Sequence, residues 1–160
     1  MNRRRILLSL WLAASLASGL SEARAATPSV VQDLRMAQDS QPFRRAADEF
    51  VARSMAGDVA GTHALLSRGL VERTGDEAVK RVLQSQILPF FQRGREPGRS
   101  VTIARTTDAA GQQGFAFYMW MQYADATPAA RPFTVYVVKE EGRLVVANVV
   151  PDRLVEGRHR

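Results

Sequence analysis

The sequence predicts an α+β domain, three helices followed by four antiparallel strands, and three observations predict it. Apolar residues recur at helical spacing from Phe43 to Phe90. After Gly98 they alternate instead, at the two-residue period of a strand. Turn-forming stretches at Asp108–Gly114, Pro128–Pro132 and Glu140-Glu141-Gly142 then cut this second half into short runs that neighbour one another as hairpins. Helices gathered in one half and strands in the other are the mark of a segregated α+β domain.

The first helix is expected from Gln41, with Asp39 or Ser40 as cap and Pro42 in its first turn, where a missing N–H costs nothing. Phe43, Ala46, Ala47, Phe50, Val51, Ser54 and Met55 form its inward face; Arg44, Arg45, Asp48, Glu49 and Arg53 form its outward one. Gly57 ends it. A short second helix spans Asp58 to Leu66 and groups Val59, His63 and Leu66. Thr74 and Glu77 have the spacing of a capping box, so a third helix is expected from there. Val79, Val82, Leu83, Gln86, Ile87 and Phe90 give its stripe, and Pro89 should kink or end it near Leu88.

Val101–Thr106, Phe115–Tyr123, Phe133–Lys139 and Leu144–Val150 are the four strands. Gly142 stands where the last hairpin wants a left-handed residue. Along the strongest of them, alternation sends Phe115, Phe117, Met119, Met121 and Tyr123 to one face and Ala116, Tyr118, Trp120 and Gln122 to the other. Both faces are substantially apolar, so the one turned away from the helices has to meet something else: an N-terminal segment, a ligand or another subunit.

Arg3, Arg4 and Arg5, followed by apolar Ile6–Leu20 and the small-residue pair around Arg24, read as an export signal cleaved after Ala25. The apolar run of 15 residues is short for a membrane span, so no stable anchor is expected once it is removed. Asn2-Arg3-Arg4-Arg5-Ile6-Leu7 also resembles a twin-arginine signal, which leaves both that route and the general secretory one open. The expected organisation is a signal at 1–25, an entry segment at 26–40, one domain at 41–152 and a basic tail at 153–160, in a periplasmic or secreted protein. Export removes four arginines and one glutamate, turning a formal charge of +6 into 18 basic against 15 acidic residues. That excess is spread along the chain, whereas binding phosphate needs clustered cations, so no nucleic-acid partner is expected. With no cysteine, neither disulfides nor a lipidated cysteine is available.

The order of elements, with the Gly57-Asp58 break, a short helix ending in Leu65-Leu66-Ser67, a further helix, an aromatic-rich strand and then Val145–Val150, resembles the nuclear transport factor 2-like superfamily over about Gln41 to Pro151. The resemblance implies a cone: helices packed in the concave face of a curved four-stranded antiparallel sheet, with an apolar cavity at the open end and, in many members, a homodimer through the sheet. Members include ketosteroid isomerases and SnoaL-like cyclases and dehydratases as well as proteins that only bind. The fold alone does not choose among these.

Tyr118, Trp120, Tyr136 and Asn148 from the sheet, with Phe90 from the third helix, are the expected pocket lining. The residues themselves do not choose between the two strand faces. No catalytic residue is assigned. An isomerase-like site needs a carboxylate in apolar surroundings facing a phenol, but no tyrosine lies on the first helix; a dehydratase-like pair would need His63, whose nearest preceding acid, Asp58, is five residues away rather than four. Asp108, Asp125 and Asp152 read as turn residues, and His159 falls in the basic tail. Two distant histidines without cysteine make no zinc set, and the Gly94–Gly98 stretch lacks a phosphate-loop lysine, so no metal or cofactor is expected. Arg93, Arg95 and Arg99 there complement the negative end of the preceding helix, or fork around an anion. The expected function is an exported, non-catalytic module that binds a small apolar ligand or a protein partner, with homodimerisation. An acid–base enzyme with an aromatic-lined pocket and an accessory subunit of an envelope assembly are the alternatives.

Overall fold

A computed structural model describes residues 28–98, 101–124 and 130–151. The expectations for the export signal, Arg99, Asp125, Asp152 and His159 fall outside these. The chain divides into two compact units, Met1–Arg35 and Met36–Arg160. Of the first, only the opening turns of helix α1 are described; the rest of α1, the other helices and the sheet belong to the second.

Helix α1 runs Pro28–Met55, well ahead of the expected start at Gln41. Pro42 therefore sits inside a helix, and Ser40 and Asp39 are not caps. The Ser40 hydroxyl donates to the Ala37 carbonyl at 3.0 Å, one turn before the proline, and Asp39 accepts from Arg105 Nη2 on the sheet at 3.1 Å. Gly57, at φ +72°, turns the chain, and Asp58 caps helix α2, Val59–Ala64, by accepting from Gly61 N–H at 2.8 Å.

Among the described residues four helices stand where three were expected. Ser67 caps α3, Arg68–Thr74, which Gly75 ends at φ +87°. Thr74 is thus the last residue of one helix and not the cap of the next, so the Thr74–Glu77 capping box does not form; Glu77 instead accepts from Lys80 Nζ at 3.1 Å. The fourth helix is a continuous rod of α4, Asp76–Val82, a π turn, Leu83–Ile87, and α5, Leu88–Gln92. Leu88 N–H reaches back five residues to the Leu83 carbonyl, and this wider turn makes room for the Pro89 ring, so the helix passes through the proline. It also changes the phase of the stripe. Val79, Leu83, Ile87 and Phe91 stay buried at four-residue spacing, whereas Val82 and Gln86, both expected inside, are exposed.

Among the described residues the sheet has five strands, not the four expected. The additional one, β1 at Gly94–Pro97, pairs with the end of β3, Gln113–Tyr123, while β2, Thr102–Thr107, pairs with its beginning; β4, Ala130–Glu140, and β5, Arg143–Pro151, complete an antiparallel sheet that curls around the helices as a half-barrel. Glycine, proline and two charges disguise β1 in the sequence, but at a sheet edge Pro97 needs no N–H partner. The β4–β5 turn places Glu141 and Gly142 at φ 48° and 82°, both left-handed, as a two-residue hairpin requires. At Gly114 the β4 backbone comes so close that a Cβ would collide with the Val137 carbonyl.

Phe115, Phe117, Met119 and Met121 are buried against Ala47, Phe50 and Val51 of α1 and against Leu83, Ile87 and Phe91. Phe91 meets Phe50, Phe90 and Phe133 edge to face, with centroids 5.1–6.2 Å apart. Each fully buried aromatic or branched side chain contributes about 1.5–3 kcal/mol, so this cluster is the largest single source of stability.

Two hydroxyls inside this packing, Ser54 Oγ and Thr62 Oγ1, have no hydrogen-bond partner among the described residues. A buried hydroxyl without a partner costs what water would have given it, so Thr62→Val, which keeps the shape, is expected to stabilise the fold by about 1 kcal/mol and raise Tm by about 3 °C. Thermal and urea unfolding of the variant measure this; a lower Tm would show that the hydroxyl is satisfied.

Candidate functional site

The site begins with a bulge. Tyr136 faces Asn148 across the β4–β5 ladder but Val137 faces Val146, so Ala147 is an extra residue in β5. The bulge turns Ala147 and Asn148 outward together, and just before it both backbone groups of Val146 point away from β4, as alternate residues of an antiparallel edge strand do. The chain between α2 and α3 takes them up. Val146 N–H donates to the Leu65 carbonyl at 2.8 Å, and Ser67 N–H donates to the Val146 carbonyl at 2.9 Å, making a parallel bridge centred on Leu66. One residue beyond, Ser67 Oγ accepts from Leu70 N–H at 3.1 Å; Glu140, from the hairpin, accepts from Arg68 N–H at 2.9 Å and Gly69 N–H at 3.3 Å. Three of the free amides of α3 are thereby satisfied, two of them by a carboxylate 71–72 residues away.

So tied, α3 stands off the β5 edge and leaves a cavity of about 110 Å³ behind it. Phe50 and Ile87 line its inner end, Val79 and Leu83 one wall, Leu66, Leu70 and Val149 the other. Its outer boundary is Val82, 41 % exposed, with Thr74 and Asn148 as the polar side chains of the lining. None of the described lining side chains is titratable. Asn148 Oδ1 accepts from Val149 N–H at 2.9 Å, which covers an amide on the outer edge of β5; Pro151, further along, has none to cover.

On the outer side of the same edge lies an open groove of about 440 Å³. Val138 and Ala147 form its floor, Arg73 and Leu70 of α3 one bank, and Thr106, Thr107 and the Asp108 turn the other. Leu70 and Asn148 are common to cavity and groove. Asp108 fulfils its expected turn role: its Oδ1 accepts from Ala110 and Gln112 N–H, each at 2.9 Å.

The five expected pocket residues do not converge. Tyr118, Trp120, Tyr136 and Asn148 lie on the outer face, since Ala116 pairs with Tyr136, Tyr136 with Asn148 and Tyr118 with Thr134. Tyr136 and Asn148 line the groove, while Tyr118 and Trp120 are 42 % and 45 % exposed on the open sheet. Phe90 is on the opposite side, packed on Phe91, Tyr123 and Phe133, and its carbonyl accepts from Tyr123 Oη at 2.7 Å. Burial there raises the Tyr123 phenol above its ordinary value, against the nearby charges of Arg131 and Arg93. Of the residues that do line the cavity, Val79, Val82, Leu83 and Ile87 were expected only as a helix stripe, and Leu70 escaped because α3 itself did; Ser67, a favoured N-cap residue, was the available signal.

His63 does not line the cavity. Its Nε2 lies 2.9 Å from Asp76 Oδ1, an acid 13 positions away that no helical spacing links to it. Lys80 Nζ is 2.6 Å from Asp76 Oδ2. This ammonium's hydrogen bond, and then the charges of Lys80 and His63, hold the Asp76 carboxyl below its ordinary value of 3.8, against the opposing effect of desolvation. Arg93 caps the end of α5 and Arg95 lies in β1, so their stretch is an edge strand rather than the loop expected. Among the described residues no group of three or more His, Cys, Asp or Glu is disposed to hold a metal, and no helix is long and apolar enough to cross a membrane. No protein-family model, curated protein or solved structure matches the chain.

Because the Asp76 carboxyl is depressed in the folded protein, its contribution to stability is present above about pH 4 and is lost as pH falls through the folded value. Asp76→Asn should therefore flatten the fall in urea stability between about pH 4 and pH 2, without changing the Glu and Asp residues that titrate elsewhere. An unchanged slope would mean that the cluster with Lys80 and His63 does not hold in solution.

Proposed function

We propose that this chain is an exported, non-catalytic binding module of the nuclear transport factor 2-like kind, which takes a small apolar group into the cavity between α3, the compound helix and β5. The observation that carries the reading is the lining: apolar side chains with one hydroxyl and one carboxamide at the rim and, among the described residues, no titratable group that could act as an acid or base. The order of helices before a curled antiparallel sheet supports the family reading. At about 110 Å³ the cavity is smaller than the ~150 Å³ apolar cavity that holds a benzene ring, which suits a short aliphatic chain.

The test is titration of n-octanol into methyl-labelled protein. Saturable shifts confined to Leu70, Val79, Val82, Leu83 and Val149 are expected, and Val82→Phe, at a half-exposed rim position that tolerates bulk, should abolish them. Shifts that never saturate, or that spread over the surface, would refute the reading.

A second observation favours a protein partner on the outer sheet face. Ala104, Ala116, Tyr118, Trp120, Pro132, Thr134, Tyr136 and Val150 share that face and carry no charge, in a chain that is 24 % charged; Glu96 of β1 borders them. An uncharged, aromatic-bearing face is the composition of an interface core. A second copy of the chain is the first occupant to test, and an envelope partner the next. Sedimentation equilibrium should show a dimer that Trp120→Arg shifts to monomer by at least tenfold in Kd; a wild-type monomer at 100-fold the concentration of ordinary assays, about 100 µM, would leave the face to a different protein.

A further inference from the structure

We infer that the ligand of this site is an anionic amphiphile, a monocarboxylate whose aliphatic tail enters the cavity and whose head group lies in the adjoining groove against Arg73. The inference rests on the proposal that the cavity binds an apolar group and adds the chemistry of the other end.

Three features carry it. The cavity and the groove are neighbours, because Leu70 and Asn148 line both, so a chain leaving the cavity passes over Leu70 into the groove. The polar side chains at that passage, Thr74 and Asn148, carry no charge and demand no charged partner. In the groove the single cationic lining residue is Arg73, which forms no ion pair among the described residues.

The acids nearby are already engaged. Asp108 Oδ1 accepts from two amides of its own turn, and Glu140 accepts from the Arg68 and Gly69 amides at the start of α3. Arg73 Nη1 comes within 3.1 Å of the place a side chain at Gly69 would begin and Glu140 Oε1 within 3.9 Å of the same place, so the guanidinium, a lining residue of the groove, folds back along α3 on the Glu140 side but makes no ion pair with that carboxylate among the described residues. A planar guanidinium with free donors suits a carboxylate in two-point contact, which neither an alcohol nor a quaternary ammonium offers.

The experiment compares three probes of equal chain length, octanoate, n-octanol and octyltrimethylammonium, below their micellar concentrations, on the full chain by the same methyl NMR titration. Octanoate is expected to bind about fivefold more tightly than octanol, an exposed charge-assisted contact being worth that much, and the ammonium more weakly than either. Arg73→Gln should bring octanoate down to octanol and leave octanol unchanged; Arg73→Lys should keep part of the difference. Arg73 is exposed, so neither variant threatens the fold.

Octanol binding as well as octanoate, an unchanged ratio in Arg73→Gln, or tightest binding by the ammonium would overturn the inference while leaving the apolar cavity reading intact. Absence of saturable binding by octanol and octanoate alike would overturn both.

Discussion

The geometry of the site depends on two hydrogen bonds at one residue. Beside a bulge in β5, Val146 turns its backbone away from β4, and Leu65 and Ser67 take its N–H and carbonyl. Because the sheet curls, its last strand would otherwise present an unpaired edge, which in most proteins must be blunted or covered. Here the α2–α3 connection covers its first half. Glu140 adds a second tie by accepting from the first amides of α3, and the short helix is then held at both its entry and its flank. An isolated seven-residue helix has little stability of its own, so its position is set by these contacts and by Leu70 and Val71 against the core.

Held in this way, α3 separates two surfaces of opposite character. On the inner side the wall is Leu66 and Leu70 against Val79, Leu83 and Val149, all aliphatic, so water gains nothing there and an apolar group does. On the outer side the same helix presents Arg73 above a floor of Val138 and Ala147, which the bulge and the β3–β4 register have placed outward. Asn148 stands between them with its carbonyl oxygen engaged by the Val149 amide. The bulge thus places Ala147 and Asn148 on the same outward side, next to the residue that anchors α3.

The sheet is apolar on both faces, and the two faces do different things. The inward set, Phe115, Phe117, Met119 and Met121, is fully absorbed by α1, the π turn and α5. The outward set is not: Tyr118 and Trp120 remain 42 % and 45 % exposed, with Val150 in the same row as Tyr118 through Thr134. Exposure of large aromatic side chains on an uncharged face is costly to solubility unless something covers them, which is why this face is read as a second place of contact.

Much of this was legible in the order of residues. Strand period, hairpin turns and the inward face of α1 follow from alternation, from Glu141-Gly142 and from the recurrence of Phe43, Ala47, Phe50 and Ser54, because such local patterns carry their own physical cause. So did the division of β3 into Phe115–Tyr123 and Ala116–Gln122 faces. What the order of residues could not decide was which face meets the helices, because both are apolar. Nor could it reveal β1, which exists only because the end of β3 offers it an edge, or α3, whose cap is completed by Glu140 from the far end of the chain. Pro42 and Pro89 misled for the same reason: a proline stops a helix that stands alone, but tertiary packing carries these two past it, helped at Pro89 by the π turn at Leu83–Ile87. The sequence by itself determined the elements that local periodicity can specify, whereas the cavity, the groove and the His63–Asp76 pair arise from contacts between positions far apart in the chain, and only the folded structure brings those together.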